Sequence, residues 1–311
     1  MILYSSFRTD IPAFYGEWLY NRIKEGWLLQ PNPMNANQLQ KIESSDIEAI
    51  VFCSKDYRPF MKYVKWFNDN YRCIFHYTIT PYDNDIEPNV LDKESIIENF
   101  KELSNATSKE QIIWRYDPIL FTKKYTPEYH KEKLSIMSNE LCDYTNTCIF
   151  SFVSTIYPWV KKNIPDLIDD YKNKEELLEY INSQSNLHYQ TCGHGDAYSS
   201  LYPNIGISSC TSVDLLEKVF NIKCIEQKGG YYRKGCGCIQ GTNIGQYNSC
   251  LHGCKYCYAT KNKETALKVS LNHNAKSPYF IDMPNIDMYN DISEMKQESW
   301  ISKRVQLNLF E

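Results

Sequence analysis

At 311 residues the chain is long enough for one large domain with a sizeable core, or for two smaller ones. A formal net charge of -4 argues against broad, non-specific attraction to nucleic acid or anionic membrane, while leaving room for a local basic groove. No run of about 18 apolar residues occurs, so no membrane span is expected, and the start MILYSSFRTD lacks the basic and apolar stretches of a secretion signal. A cytoplasmic protein is the expectation.

In chain order, short apolar runs predict strands at 2–5, 48–53, 73–80, 111–116, 147–153 and 187–191. Amphipathic stripes fall between them. Phe14, Trp18, Leu19 and Ile23 form one; Phe60, Val64 and Phe67 a second; Ile96, Ile97, Phe100 and Leu103 a third. Thr126 before Pro127 predicts a capped helix start. Thr211 with Asp214 predicts another, leading into Leu215, Leu216 and Val219. Alternation of this kind predicts an α/β fold, a parallel sheet with covering helices that is closed or partly closed into a barrel. An open doubly wound sheet fits nearly as well. Residues 1–200 are expected to form the barrel-like domain, 201–260 a cysteine-rich region completing it, and 261–311 a peripheral tail.

Polar residues follow each expected strand, and parallel strands would gather them on one face. Ser6, Arg8 and Asp10 follow the first, Ser54 and Lys55 the second, and Thr78, Thr80 and Tyr82 the third. Arg115 and Asp117, then Ser151 and Ser154, then Cys192, His194 and Asp196 follow the others. Arg8, Asp10, Arg115 and Asp117 are the candidate catalytic set: arginines clamp carboxylates or phosphates, and acids orient hydroxyls or amines. A plain structural ion pair is the competing reading of Arg115 and Asp117, as helix anchoring is of Arg8 and Asp10.

Twelve cysteines without an export signal need an explanation other than a disulfide scaffold. Cys53, Cys73, Cys142 and Cys148 read as small buried hydrophobes, and the eight between 192 and 257 as a ligand supply. Cys250, Cys254 and Cys257 form C-x3-C-x2-C, which suits a [4Fe–4S] cluster with one open iron, with Gly253 giving a tight turn and Tyr256 shielding the cofactor. Cys236 and Cys238, with Cys192 and Cys210, are expected to hold a second [4Fe–4S] cluster or a structural zinc, or to be free thiols; Cys224 is a competing ligand. His194 and His252 read as hydrogen-bonding neighbours, and His76 and His130 as structural.

The three-cysteine loop with an aromatic before its last cysteine resembles the signature of radical S-adenosylmethionine enzymes. A wider set of strings resembles a bacterial family catalogued as domain of unknown function 1848. They are Arg8-Thr-Asp-Ile-Pro-Ala-Phe-Tyr15, Thr78-Ile-Thr-Pro-Tyr82, Trp114-Arg-Tyr-Asp-Pro118, and the run from Cys236 through Cys257 to Ala259. The first resemblance implies a cluster on Cys250, Cys254 and Cys257 that chelates S-adenosyl-L-methionine, and a low-potential electron donor. It also implies a 5′-deoxyadenosyl radical acting on an unknown substrate. The loop comes after six expected strands instead of after the first, which implies a circularly rearranged barrel. A non-enzymatic iron–sulfur or zinc sensor is the alternative.

The carboxyl end, with Gln306, Leu307, Leu309 and Phe310, resembles the short peptides by which bacterial repair proteins engage the sliding clamp. That resemblance implies the clamp as a partner and makes a nucleic-acid substrate more attractive, with tyrosines available for stacking.

Overall fold

The computed structural model describes residues 1–32, 35–225, 235–280, 291–294, 299 and 301. The first apolar run becomes β1 (Ile2–Tyr4), buried throughout. Asp10 then caps the short α1 (Ile11–Phe14) by accepting from the Ala13 amide, and α2 (Gly16–Glu25) buries Trp18, Leu19 and Ile23. A hairpin not foreseen from the sequence follows, β2 (Trp27–Asn32) antiparallel to β3 (Asn35–Glu43).

Strand and helix then alternate as expected: β4 (Ala49–Ser54), α3 (Met61–Asn70), β5 (Arg72–Thr78), α4 (Lys93–Ala106), β6 (Ile112–Ile119), α5 (Pro127–Leu141) and β7 (Thr147–Phe152). Thr126 caps α5 as foreseen, accepting from the Tyr129 amide. The later elements are α6 (Pro158–Asn163), α7 (Tyr171–Ser183), β8 (His188–Thr191), β9 (Ile205–Gly206), α8 (Val213–Phe220), β10 (Thr242–Asn243), α9 (Lys263–Leu271) and β11 (Asp291–Glu294). The cap of α8 is Ser212, whose hydroxyl accepts from the Leu215 amide, and not the expected Thr211.

Eight strands form one sheet in the order β10-β1-β4-β5-β6-β7-β8-β9, and every neighbouring pair is parallel. All six expected strands are in it. A separate three-stranded sheet runs β11-β3-β2. Both faces of the large sheet are apolar. Leu3, Phe52, Phe75, Trp114 and Phe150 pack against Trp18, Phe67, Phe100, Leu134 and Leu177. Ile2, Val51, Ile74, Ile113 and Ile149 join Leu216, Cys210 and Ile239 on the other side. Burial on two faces is why these strands read as nearly continuous apolar runs. Among the described residues no helix is long and apolar enough to cross a membrane.

Candidate functional site

Because the strands are parallel, their carboxyl ends share one edge, and Asp10, Ser54, Lys55 and Thr80 stand there. Asp10 is held by four donors. Its Oδ1 accepts from the Ala13 amide at 3.1 Å and the Ser54 hydroxyl at 2.6 Å; Oδ2 accepts from the Lys55 amide at 2.9 Å and His252 Nε2 at 2.8 Å. A carboxyl group surrounded only by donors is satisfied as the carboxylate. It also fixes the proton of His252 on Nε2, which leaves Nδ1 as a lone-pair acceptor. That nitrogen is buried and has no hydrogen-bond partner among the described residues. The Phe14 ring packs on the imidazole at 4.7 Å between centroids.

His252 reaches Asp10 because groups distant in sequence fasten its loop by the carbonyls. The Tyr15 hydroxyl donates to Ser249 O at 2.6 Å and Asn89 Nδ2 to Leu251 O at 2.7 Å. Trp159 Nε1 donates to Cys257 O at 2.9 Å, and the Asn89 amide to His252 O at 3.2 Å. Gly253 supplies the reversal, with φ +68, a conformation that side chains disfavour.

Next to the dyad lies a buried ion cluster. Lys55 Nζ meets Glu87 Oε1 at 2.7 Å and Lys93 Nζ meets Oε2 at 2.8 Å. The Thr80 hydroxyl also donates to Glu87, at 2.6 Å, as does the hydroxyl of Tyr256. Burial pushes the Glu87 carboxyl up, but Lys55 and Lys93 outweigh it and bring its pKa down to about 2. Burial likewise opposes the charge on Lys55, and the Glu87 carboxylate overcomes it, so the lysine is held above its ordinary value. Glu87 was not foreseen. It sits in an irregular stretch with no motif around it, and only the fold brings it under Lys55.

A cavity of about 250 Å³ opens beside the loop, lined by Cys254, Lys255, Lys261, Lys263, Asn163 and Thr260 among others. Among the described residues none of its three lysines forms an ion pair. This is a local excess of positive charge on an otherwise acidic chain.

The cysteines of the loop do not do what their spacing suggests. Burial pushes Cys250 well above its ordinary value and Cys254 up to about 12, with Lys55 offsetting only part of it, and raises Cys257 too. Among the described residues no group of three or more His, Cys, Asp or Glu side chains is arranged to hold a metal ion. The [4Fe–4S] cluster expected at Cys250, Cys254 and Cys257 is therefore corrected, and with it the radical S-adenosylmethionine chemistry. The Tyr256 hydroxyl is bonded to Glu87.

The second expectation, a cluster or zinc on Cys192, Cys210, Cys236 and Cys238, falls to the same finding, and so does the iron–sulfur or zinc sensor. These thiols neighbour one another, Cys192 beside Cys210, Cys210 beside Cys238 and Cys238 beside Cys236, and each shifts the ionisation of the next.

Of the other candidates, Arg115 pairs with Asp117, which also accepts from the Ser151 hydroxyl. Cys210, Cys192 and Cys53 lie close enough to Arg115 to hold its charge in place. Arg8 lies over the Tyr247 ring at 5.8 Å. The candidate clamp peptide from Gln306 to Phe310 lies outside the described residues.

Residues 2–259 match the family described as Domain of unknown function (DUF1848), and the chain belongs to it. No curated protein matches the chain, and no solved structure does.

Proposed function

We propose that the protein binds a small anionic molecule, a carboxylate or a phosphate, in the lysine-lined cavity, and that His252 moves a proton to or from it. The observation that carries this reading is the buried Asp10–His252 pair with Nδ1 left free. A buried polar atom without a partner costs roughly 1–3 kcal/mol, and such a cost persists where a ligand supplies the missing bond. Asp10 acts here as a positioning residue: it selects the tautomer and stabilises the imidazolium that forms when Nδ1 accepts a proton. Lys255, Lys261 and Lys263 attract the anion. Lys55, tied to Glu87, serves as a fixed charge and not as a base.

In the same reading the sheet closes on itself as a barrel. What supports closure is the bonding between the two ends of the strand order. The Gly237 amide donates to Ser208 O at 2.8 Å and the Ile239 amide to Thr211 O at 2.9 Å, joining the chain after β9 to the chain before β10. A barrel presents its chemistry at the carboxyl ends of the strands, where Asp10 and Lys55 stand. Arg115 and Asp117 then serve as an interior ion pair.

The test is nitrogen NMR on protein carrying labelled histidine, with the His252 signals identified by their loss in His252→Gln. Without ligand, Nε2 should be protonated and Nδ1 bare. Inorganic phosphate or citrate should shift Nδ1, and the Lys261→Gln, Lys263→Gln double variant should abolish the response. Anions that move these signals no further than sodium chloride of equal ionic strength would sink the proposal.

A further inference from the structure

The row of thiols lies at the seam between the two ends of the strand order, apart from the dyad. Cys210 is buried in the second core, with Cys192, Cys224 and Cys238 packed against it. The backbone between Cys236 and Cys238 is braced on both sides. The Gly237 amide is bonded to Ser208 O at 2.8 Å, and Gly237 O accepts the Ser209 hydroxyl at 2.8 Å. Gly235 O accepts the Gly195 amide at 2.7 Å, fixing the approach to the pair. A Cβ at position 237 would come within 2.8 Å of Ser208 O, so only glycine lets the two strands of chain approach this closely.

We propose that Cys236 and Cys238 form a thiol–disulfide exchange site whose reaction partner is a low-molecular-weight disulfide. Two thiols separated by a single glycine on a braced backbone are kept within reach of each other. Cys236 is 8% exposed, which suits attack on a small disulfide and not on one carried by a folded protein. The direction of attack follows from the row. The Cys238 thiol and the backbone amide of Cys238 donate to Cys236 and bring its pKa down to about 7 against the opposing effect of burial. Cys238 is held up at about 11, with the thiol of Cys210 donating to it and that of Cys236 opposing its ionisation.

The Cys236 thiolate attacks one sulfur of the disulfide, whose S–S bond breaks and whose electron pair leaves on the released thiolate. Cys238 gives its proton to that thiolate and attacks the Cys236 sulfur, expelling the second small thiolate, which takes a proton from water. Two protein thiols are oxidised to one disulfide and one small disulfide is reduced to two thiols.

The full-length chain, equilibrated with mixtures of reduced and oxidised glutathione, quenched and alkylated, is read by mass spectrometry of the peptide carrying both cysteines. An internal 236–238 disulfide is expected, with Cys73 and Cys148 staying reduced. Cys238→Ser should accumulate one glutathione on Cys236, and Cys236→Ser none on Cys238. Alkylation of the unmutated protein near neutral pH provides a reading free of folding effects, and Cys236 should react at least about tenfold faster than Cys238. No 236–238 disulfide at any ratio, or equal alkylation rates, overturns the proposal.

Discussion

Two groups of cysteines stand in one short stretch of chain and are treated oppositely by the fold. Around Cys250, Cys254 and Cys257 the loop spends its polar contacts on carbonyls and on His252, and the thiols are raised. Around Cys236 the thiols are each other's partners, and the last in the row is the one eased toward ionisation. Charge at the first place is carried by Asp10, Glu87 and lysines; at the second the Arg115–Asp117 pair stands beside the thiols. Cysteine spacing is therefore a poor guide to cysteine chemistry, because reactivity depends on what donates to the sulfur.

The comparison is broken most forcefully at Glu87. Glu87→Ala should destabilise the protein by about 3–5 kcal/mol in urea melts, since it strands the buried Lys55 and leaves Lys93 without its carboxylate. The alkylation rate of Cys236 should stay unchanged. A loss below about 1 kcal/mol would mean that the ion cluster does not organise this edge.

Acid should act on the buried histidines first and on the Glu87 ion cluster below them. His130 is buried between the Tyr116 hydroxyl at 2.8 Å and Leu120 O at 2.9 Å, and burial lowers its pKa to about 4, the bond to Leu120 opposing. Its folded value lies below its unfolded one, so the unfolded chain takes up the proton first. Stability from this group is complete above about pH 6.5 and is lost as pH falls toward 4, on the order of 3 kcal/mol in all. His76, lowered by burial and then by Arg115, adds in the same direction. Glu87, depressed to about 2, adds a second loss below about pH 4.3. Urea midpoints across this range should fall in two phases, and His130→Gln should remove part of the first. A midpoint flat from neutral to pH 4 would contradict it.

Much of this was legible in the residues. The six inner strands are apolar on both faces, so each announces itself. Asp10 was legible as a strand-end acid, although its partner was not, because Asp10 and His252 meet only through the fold. The β2–β3 hairpin, with its Gln- and Asn-rich sequence, carries no comparable apolar signal. Glu87 and the cavity lysines sit in irregular segments where no period marks them. The cysteine loop misled because three spaced sulfurs resemble a ligand set, while the loop's carbonyls are held by Tyr15, Asn89 and Trp159, far away in sequence.

A smaller change sharpens the sulfur side. Gly237→Ala pushes a methyl group against Ser208 O, and overpacking of this kind costs about 1–3 kcal/mol. The expected signature is local: Cys236 should lose its alkylation advantage over Cys238, while the His252 nitrogen signals stay in place. Retention of that advantage would show that the bracing of this backbone does not set the thiol order.

The smallest effect separates two neighbouring hydroxyls beside the same seam. Ser212 caps α8 by accepting from the Leu215 amide at 3.0 Å, whereas among the described residues the Thr211 hydroxyl meets only His76 Nε2, at 3.5 Å. Removing a cap costs about 1 kcal/mol. Ser212→Ala should therefore speed hydrogen exchange at the Leu215 amide, and Thr211→Val, which keeps the side-chain volume, should leave that amide protected. Because α8 packs Leu216 into the core that holds Cys210, fraying of its first turn should also raise alkylation at Cys210 without moving His252. If Thr211→Val unprotects Leu215 instead, the helix begins one residue earlier than the bonding pattern places it, and the cover over the sulfur row must be redrawn.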